Sequence, residues 1–351
     1  MPSVVLVVPG RLDTRTGGSL YDRRMTQGLR QRGWSVGVRE LDESFPYPTP
    51  AALEHAARVL AEVRSGTLVL VDGLALGAMP AVIEHEASRL RIVALVHLPL
   101  AAEVGIDRET AARLGEAERR ALDAAALIIV TGRATLPILA EYRIARDRVV
   151  VVEPGTARAP VARGSGGAPL RLLSVATLNP AKAHEIMLEA LAAVPHGGWH
   201  LTCAGSLTRH PATVERVRAT MCRLGLEERV SLVGDLDAGK LAECYEGADV
   251  FVLATLRETY GMAVAEALAH GLPVVSTTTG AIPDLVGDDA GLLAPPGDTA
   301  AFARALARVL GDAGLRARLT DGARRVRGRL QSWEQAFGKM AAALARLDTH
   351  G

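Results

Sequence analysis

The chain has 351 residues, which would make an unusually large single core but is ordinary for two cores of roughly 150 residues each. With 40 Lys+Arg against 39 Asp+Glu the formal charge is +1, so no broad basic field exists to attract nucleic acid, and a nucleic-acid function is disfavoured. Three cysteines, Cys203, Cys222 and Cys244, are an odd number at no metal-ligand spacing, which argues against a disulfide framework and against a cysteine metal site; Cys203 ends an apolar run and reads as core.

Short aliphatic runs at residues 3–8, 35–39, 67–71, 92–96, 127–130 and 149–152 read as strands buried on both faces, with helical patterns between them. The first run lacks a basic leader and is far too short to span a membrane, so the cytoplasm is the expected compartment. It feeds a loop, residues 10–16, and then Gly17-Gly18 ahead of Ser19 and Tyr21. That loop lacks the Gly-x-Gly-x-x-Gly of a dinucleotide site, which disfavours an NAD enzyme, and a Gly-Gly pair taken alone is more often a plain turn. Arg23, Arg24, Arg30 and Arg32 gather on the helix that follows; a solvated face is the ordinary reading, an anionic membrane or acceptor the alternative. Asp72-Gly73 follows the third strand and reads equally as a contact in a cleft or as an Asx-turn. His97 stands at the end of the fourth strand, where a side chain projects into a crevice, although a lone His there is more often structural.

Residues 158–169 are small, polar and rich in Gly and Pro, which describes a linker. Beyond it the strand pattern repeats at 170–175, 200–203, 230–233, 250–253, 273–276 and 291–293, so two doubly wound sheets are expected, with ligands beyond the strand C-termini where the domains face each other. The loop after the first of these strands carries Thr177 and Lys182, and Lys182 is one of only three lysines in a chain that uses Arg nearly everywhere else. Gly205-Ser206 and Gly234-Asp235 are two more strand-end loops on the same edge. Asp235-Leu236-Asp237 spells the Asp-x-Asp of metal-dependent sugar transfer, but in this context it reads better as a helix-start loop. Residues 330–347 form a last helical pattern that includes Trp333.

The most informative stretch, residues 258–275, sets two carboxylates around a Gly-opened helix that feeds an apolar strand. At Tyr260-Gly261 the backbone can turn without a Cβ clash, and residues 262–269 are strong helix formers. Free amides at the helix start, around Gly261, Met262 and Ala263, suit a phosphate. Glu258 before the helix and Glu266 about one turn inside it could flank one ligand and accept hydrogen bonds from sugar or ribose hydroxyls. For an isolated Glu pair, a helix-dipole contact and a solvated side chain are the commoner explanation.

Residues 258–298 closely resemble the donor-binding half of family 4 of the glycosyltransferases, retaining enzymes of the GT-B fold, and a weaker resemblance extends over nearly the full chain. It implies an α/β protein of two doubly wound Rossmann-like domains facing a central cleft: an acceptor-side domain at 1–160, a nucleotide-sugar-binding domain at 161–329, and a terminal helix at 330–351 that returns to the first domain. The implied catalytic set is His97, Glu258 and Lys182. Glu258 falls on the transferred sugar, Glu266 on the ribose, His97 close to the donor sugar and Lys182 on the diphosphate, with amides at Gly17-Gly18 and at Gly261, Met262 and Ala263 near the phosphates. Gly205 and Gly234 fall near the base. Thr177 stands where an Arg is usual and Ala183 where a Gly is common, which leaves the grip on the donor partly unaccounted for. The expectation is metal-independent transfer without a cofactor, from a nucleotide-diphosphate sugar to a small-molecule, saccharide or lipid acceptor. The alternatives are a sugar-nucleotide epimerase or hydrolase, and a binding protein without turnover.

Overall fold

The computed structural model describes residues 1–195 and 198–348. The chain divides into two units, one formed by Met1–Gly155 with the residues from Ser332 on, the other by Thr156–Gln331. Residues 349–351 of the expected terminal segment lie outside the described residues.

In the first unit β1 (Ser3–Pro9), β2 (Ser35–Leu41), β3 (Leu68–Asp72), β4 (Arg91–Val96), β5 (Leu127–Val130) and β6 (Val149–Val151) form one parallel sheet in the order β2-β1-β3-β4-β5-β6. The second unit repeats the design with β7 (Leu170–Val175), β8 (Trp199–Ala204), β9 (Val230–Gly234), β10 (Val250–Val252), β11 (Val274–Thr277) and β12 (Gly291–Ala294), in the order β12-β11-β10-β7-β8-β9. All twelve expected strands are present, with ends shifted by two residues or fewer. Pro273 falls just outside β11 because it has no N–H to donate, while its carbonyl accepts from Phe251 at 2.9 Å.

Continuous apolar sequence builds these sheets because each parallel strand is covered on both faces. Alternate residues feed opposite cores: Val69, Val71, Ile92, Ala94, Val96 and Val130 enter one, Leu68, Leu70, Val93, Leu95 and Ile129 the other. Each sheet reverses its direction of growth once, between β1 and β3 and between β7 and β10, and the loops leaving those strands carry the polar residues considered below.

Residues 158–169 contain no helix or strand, yet they are laid along the second unit. Ala162 N–H donates to His270 O at 2.8 Å, Arg163 N–H to Glu246 O at 2.7 Å, and the Arg327 guanidinium to Ala159 O. The chain passes between units at Gly155–Thr156 and again at Gln331–Ser332. The last helix, Trp333–Asp348, packs on the helix Gly17–Gln31, where Phe337, Met340 and Leu344 meet Tyr21, Met25 and Leu29. Two of the basic residues meet the last helix, Arg24 lying 5.9 Å from the centre of the Trp333 ring and Arg32 pairing with Glu334 at 2.5 Å, while Arg30 donates to Val36 O of β2 at 2.8 Å.

The closest approach in that interface is at Gly28, where an added Cβ would lie 2.1 Å from Phe337 Cγ. Gly28→Ala is expected to destabilise the first unit by about 2 kcal/mol and lower its apparent Tm by several degrees. Gly37→Ala, whose Cβ would meet Val5 Cγ2 at an ordinary 3.7 Å, is the control and should stay within about 1 kcal/mol of the parent in the same thermal melt.

Candidate functional site

In the first unit three elements converge on His97, the residue that follows β4. Its Nε2 lies 3.0 Å from Asp22 Oδ1, carried by the helix Gly17–Gln31, and 3.5 Å from Asp72 Oδ2 at the end of β3. The other Asp72 oxygen accepts from Leu74 N at 2.8 Å, so Asp72 is both an Asx-type helix cap and a partner of His97. The Tyr21 ring stands edge-on to the imidazole at 5.3 Å, and a Cβ on Gly18 would lie 3.4 Å from His97 Cδ2. The Gly17-Gly18 helix start therefore lies against the ring.

Burial acts to lower the His97 pKa, but the charge and hydrogen bond of Asp22, joined by the charge of Asp72, outweigh it and push the group up to about 9. Burial first, and the Asp22 charge second, raise Asp72 to about 7. Among the described residues these three side chains also bring ligand-type atoms within 4.8 Å of one another. An imidazolium between two carboxylates balances the same charges that a cation would. Asp22 is the member that sequence reasoning missed; its signal was a carboxylate on the helix stripe of Gly18, Met25 and Leu29, which faces the core.

In the second unit the loops leaving the neighbouring strands β7 and β10 are tied together. Leu256 N–H donates to Ala181 O at 2.7 Å and Thr255 Oγ1 to the same carbonyl at 3.0 Å. This docking sets Lys182, on the turn Pro180–Lys182 capped by Asn179, directly against Glu258: Lys182 Nζ pairs with Glu258 Oε1. Both side chains are largely buried, at 23% and 13% exposure. Ala183 next in sequence adopts φ +47, the left-handed conformation a glycine takes with less strain, so the turn keeps the shape that Gly would favour. His184 behind it is buried and held neutral, lowered to about 4 by burial and then by the Lys182 charge.

Gly261, at φ +93, is the N-cap of the helix Met262–Ala269, and no side chain caps the first-turn amides. Gly280 packs so closely on the preceding loop that a Cβ would lie 2.3 Å from Glu258 O. Glu266 on the helix accepts a hydrogen bond from Tyr245 O–H at 3.0 Å, and the Tyr245 ring stacks on His270 at 4.8 Å. Burial, then the Glu266 charge, raises the Tyr245 phenol well above its ordinary value, so it remains a donor. Tyr245 has no sequence signal, because its partner is 21 positions away on another helix. Gly205 N–H donates to Gly234 O at 2.9 Å, which joins the ends of β8 and β9, while Thr177 leads out of β7. Asp237 is the N-cap of the helix Ala238–Gly247 and accepts from Lys240 N at 2.9 Å, as its helix-start reading requires.

A doubly wound parallel sheet in each unit is the build of the GT-B fold. Residues 169–312 match the family pattern described as glycosyl transferases group 1. It is 29% identical over 239 residues to a D-inositol 3-phosphate glycosyltransferase of Xylanimonas cellulosilytica, covering 63% of this chain and 57% of that protein. With a protein of the same description from Acidothermus cellulolyticus it shares 32% over 203 residues, 52% of this chain and 44% of the relative. The chain thus spans about half the length of the curated relatives it matches. Among solved structures, sucrose-phosphate synthase from Thermosynechococcus elongatus superposes with a TM-score of 0.84 at 21% identity over 100% of both chains. Anabaena Alr3699/HepE in complex with UDP-glucose gives 0.75 at 17% identity, over 98% of this chain and 99% of that one. No helix among the described residues is long and apolar enough to cross a membrane.

Because the folded-state pKa of His97 is raised, its stabilising contribution is complete below its ordinary value of 6.5 and lost as pH rises through about 9. The Tm of the first unit should therefore fall across this window. Asp22→Asn should flatten the fall, and calorimetry at matched ionic strength on the two proteins measures the difference.

Proposed function

We propose that the chain is a retaining glycosyltransferase that moves a sugar from a nucleotide-diphosphate sugar to an acceptor hydroxyl, without a metal ion and in the cytoplasm. The observation that carries this reading is the Lys182–Glu258 pair, set in the loop ahead of an uncapped helix start, with Glu266 on the helix that follows. Lys182 and the amides at Gly261, Met262 and Ala263 supply the positive potential that a departing diphosphate needs, which is the main electrostatic task of the reaction. Glu258 accepts hydrogen bonds from the transferred sugar. Glu266, with one oxygen held by Tyr245, offers its remaining acceptor capacity to the ribose hydroxyls. His97 orients the donor sugar, Gly17 and Gly18 approach its phosphate, and Gly205 and Gly234 border the base. The resemblance to retaining enzymes supports attack on the face the diphosphate leaves. UDP-glucose is the first donor to test, since the Anabaena structure holds it.

Release of nucleoside diphosphate, followed across donors with and without acceptors, tests the reading. Acceptor-dependent release is expected; acceptor-independent release would make the chain a hydrolase, and none with any donor a binding protein. Turnover should survive chelation of divalent metals. Loss on chelation with recovery on adding magnesium or manganese would overturn the metal-free assignment.

Lys182 is the cation paired with Glu258, and charged hydrogen bonds contribute roughly 1.5–3 kcal/mol each. Lys182→Ala should weaken nucleoside diphosphate binding at least about tenfold, equivalent to roughly 1.4 kcal/mol, in titration calorimetry. Glu258→Ala frees Lys182 from its partner, so it should leave nucleoside diphosphate binding unchanged or tighter while transfer collapses. Glu266→Ala should weaken the bare nucleotide as well as the donor. Equal effects of the two glutamate changes on nucleotide binding would contradict this division of roles.

A further inference from the structure

His97 is anchored through one ring nitrogen. Nε2 faces Asp22 and Asp72, whereas Nδ1 has no hydrogen-bond partner among the described residues. The two carboxylates are withdrawn from water, at 2% and 6% side-chain exposure, while the imidazole keeps 20%. Two such groups side by side repel unless a proton or a cation stands between them. The other neighbours of the ring supply neither. The Tyr21 hydroxyl donates to Val152 O at 2.7 Å, the Thr131 hydroxyl is directed at His97 O at 3.4 Å, and Gly18 presents only backbone.

We propose that Asp22 and Asp72 are positioning residues for the transfer reaction: Asp22 accepts the Nε2–H of His97, Asp72 adds its charge 3.5 Å from the same nitrogen, and together they fix the ring as a cation and leave Nδ1–H as the one donor open to a substrate oxygen. The consequence is chemical. A neutral ring with its proton on Nε2 would present Nδ1 as an acceptor, suited to removing a proton; the clamped ring presents a charged donor, suited to holding an oxygen that gains negative charge. His97 is thereby an electrostatic stabiliser and not a general base. This assignment rests on the glycosyltransferase reading for its substrate, but the clamp itself is a property of the free protein.

Histidine-labelled full-length chain, titrated by NMR without any ligand, tests the clamp first, with the His97 signal assigned from its loss in His97→Gln. The expected result is an imidazolium that persists above about pH 7.5 in the parent and is neutral there in Asp22→Asn, with partial return in Asp22→Glu. Asp72→Asn serves as the second variant should Asp22→Asn fold poorly, and the expected shift is in the same direction. In the transfer assay the parent should hold its kcat between about pH 6 and 8, whereas Asp22→Asn should lose about tenfold over that range with KM for the donor little changed. A parent His97 that titrates near its ordinary value, or an Asp22→Asn pH profile parallel to the parent's, overturns the proposal. So does displacement of the His97 proton by added magnesium or manganese, which would assign the cluster to a cation. A charged His97 in a chain that transfers no sugar would instead overturn the glycosyltransferase reading and leave the clamp standing.

Discussion

A strand covered on both faces has no place along its length for a polar side chain without a partner, so a parallel sheet pushes its chemistry to the ends of its strands. Everything described for this chain follows from that constraint. Asp72 ends β3 and His97 follows β4; Lys182 and Glu258 lie in the loops beyond β7 and β10. Two of the hydroxyls that occur within a strand are satisfied internally, Ser276 donating to Leu253 O at 2.8 Å and Thr277 to Thr255 O at 2.6 Å, both across to the loop side of β10, whereas the buried Ser174 hydroxyl of β7 has no partner among the described residues. The order of strands then decides which loops meet, since the reversals bring β1 beside β3 and β7 beside β10.

The two clusters solve the problem of buried charge differently. In the second unit Lys182 and Glu258 neutralise each other, so a ligand that takes hold of either side chain must replace the partner it displaces. In the proposed reaction a diphosphate on Lys182 and a sugar on Glu258 would engage together, which would couple recognition of the two halves of a donor. The turn after β7 carries Thr177 and a single cation, Lys182, while Arg257 beside Glu258 is exposed. In the first unit an imidazole stands between two carboxylates, and the balance among them is a matter of protonation instead of partner exchange.

Packing supplies the rigidity that both arrangements need. The Asp22-bearing helix is held on its outer side by the terminal helix, through the Gly28 and Phe337 contact and the Tyr21 core. The Glu266-bearing helix is held by Tyr245, itself stacked on His270, so that the carboxylate reaches its position with one oxygen already oriented. Neither Tyr245 nor Phe337 touches a ligand in the proposed reaction, yet each limits where a charged group can stand.

What the amino-acid sequence determined by itself is local or repetitive. Twelve buried strands are legible because aliphatic continuity is a property of five or six neighbouring residues, and the Gly-opened helix at Gly261 because its turn and its helix formers are contiguous. Lys182, Glu258 and Glu266 stand out as candidates because the strand-end loops and the motif around them mark those positions, and the helix-start role of Asp237 was legible because an N-cap acts within one turn. The tertiary structure decided which of these residues touch. Asp22 meets His97 from 75 positions away, Lys182 meets Glu258 from 76, and Glu266 is held by a tyrosine from the preceding helix. Such encounters depend on strand order and on the angle at which a helix crosses its sheet, quantities set by the sum of all the packing and written in no single stretch of chain. The protonation of His97 belongs to the same class, because a side chain's charge state is fixed by the neighbours that replace its water.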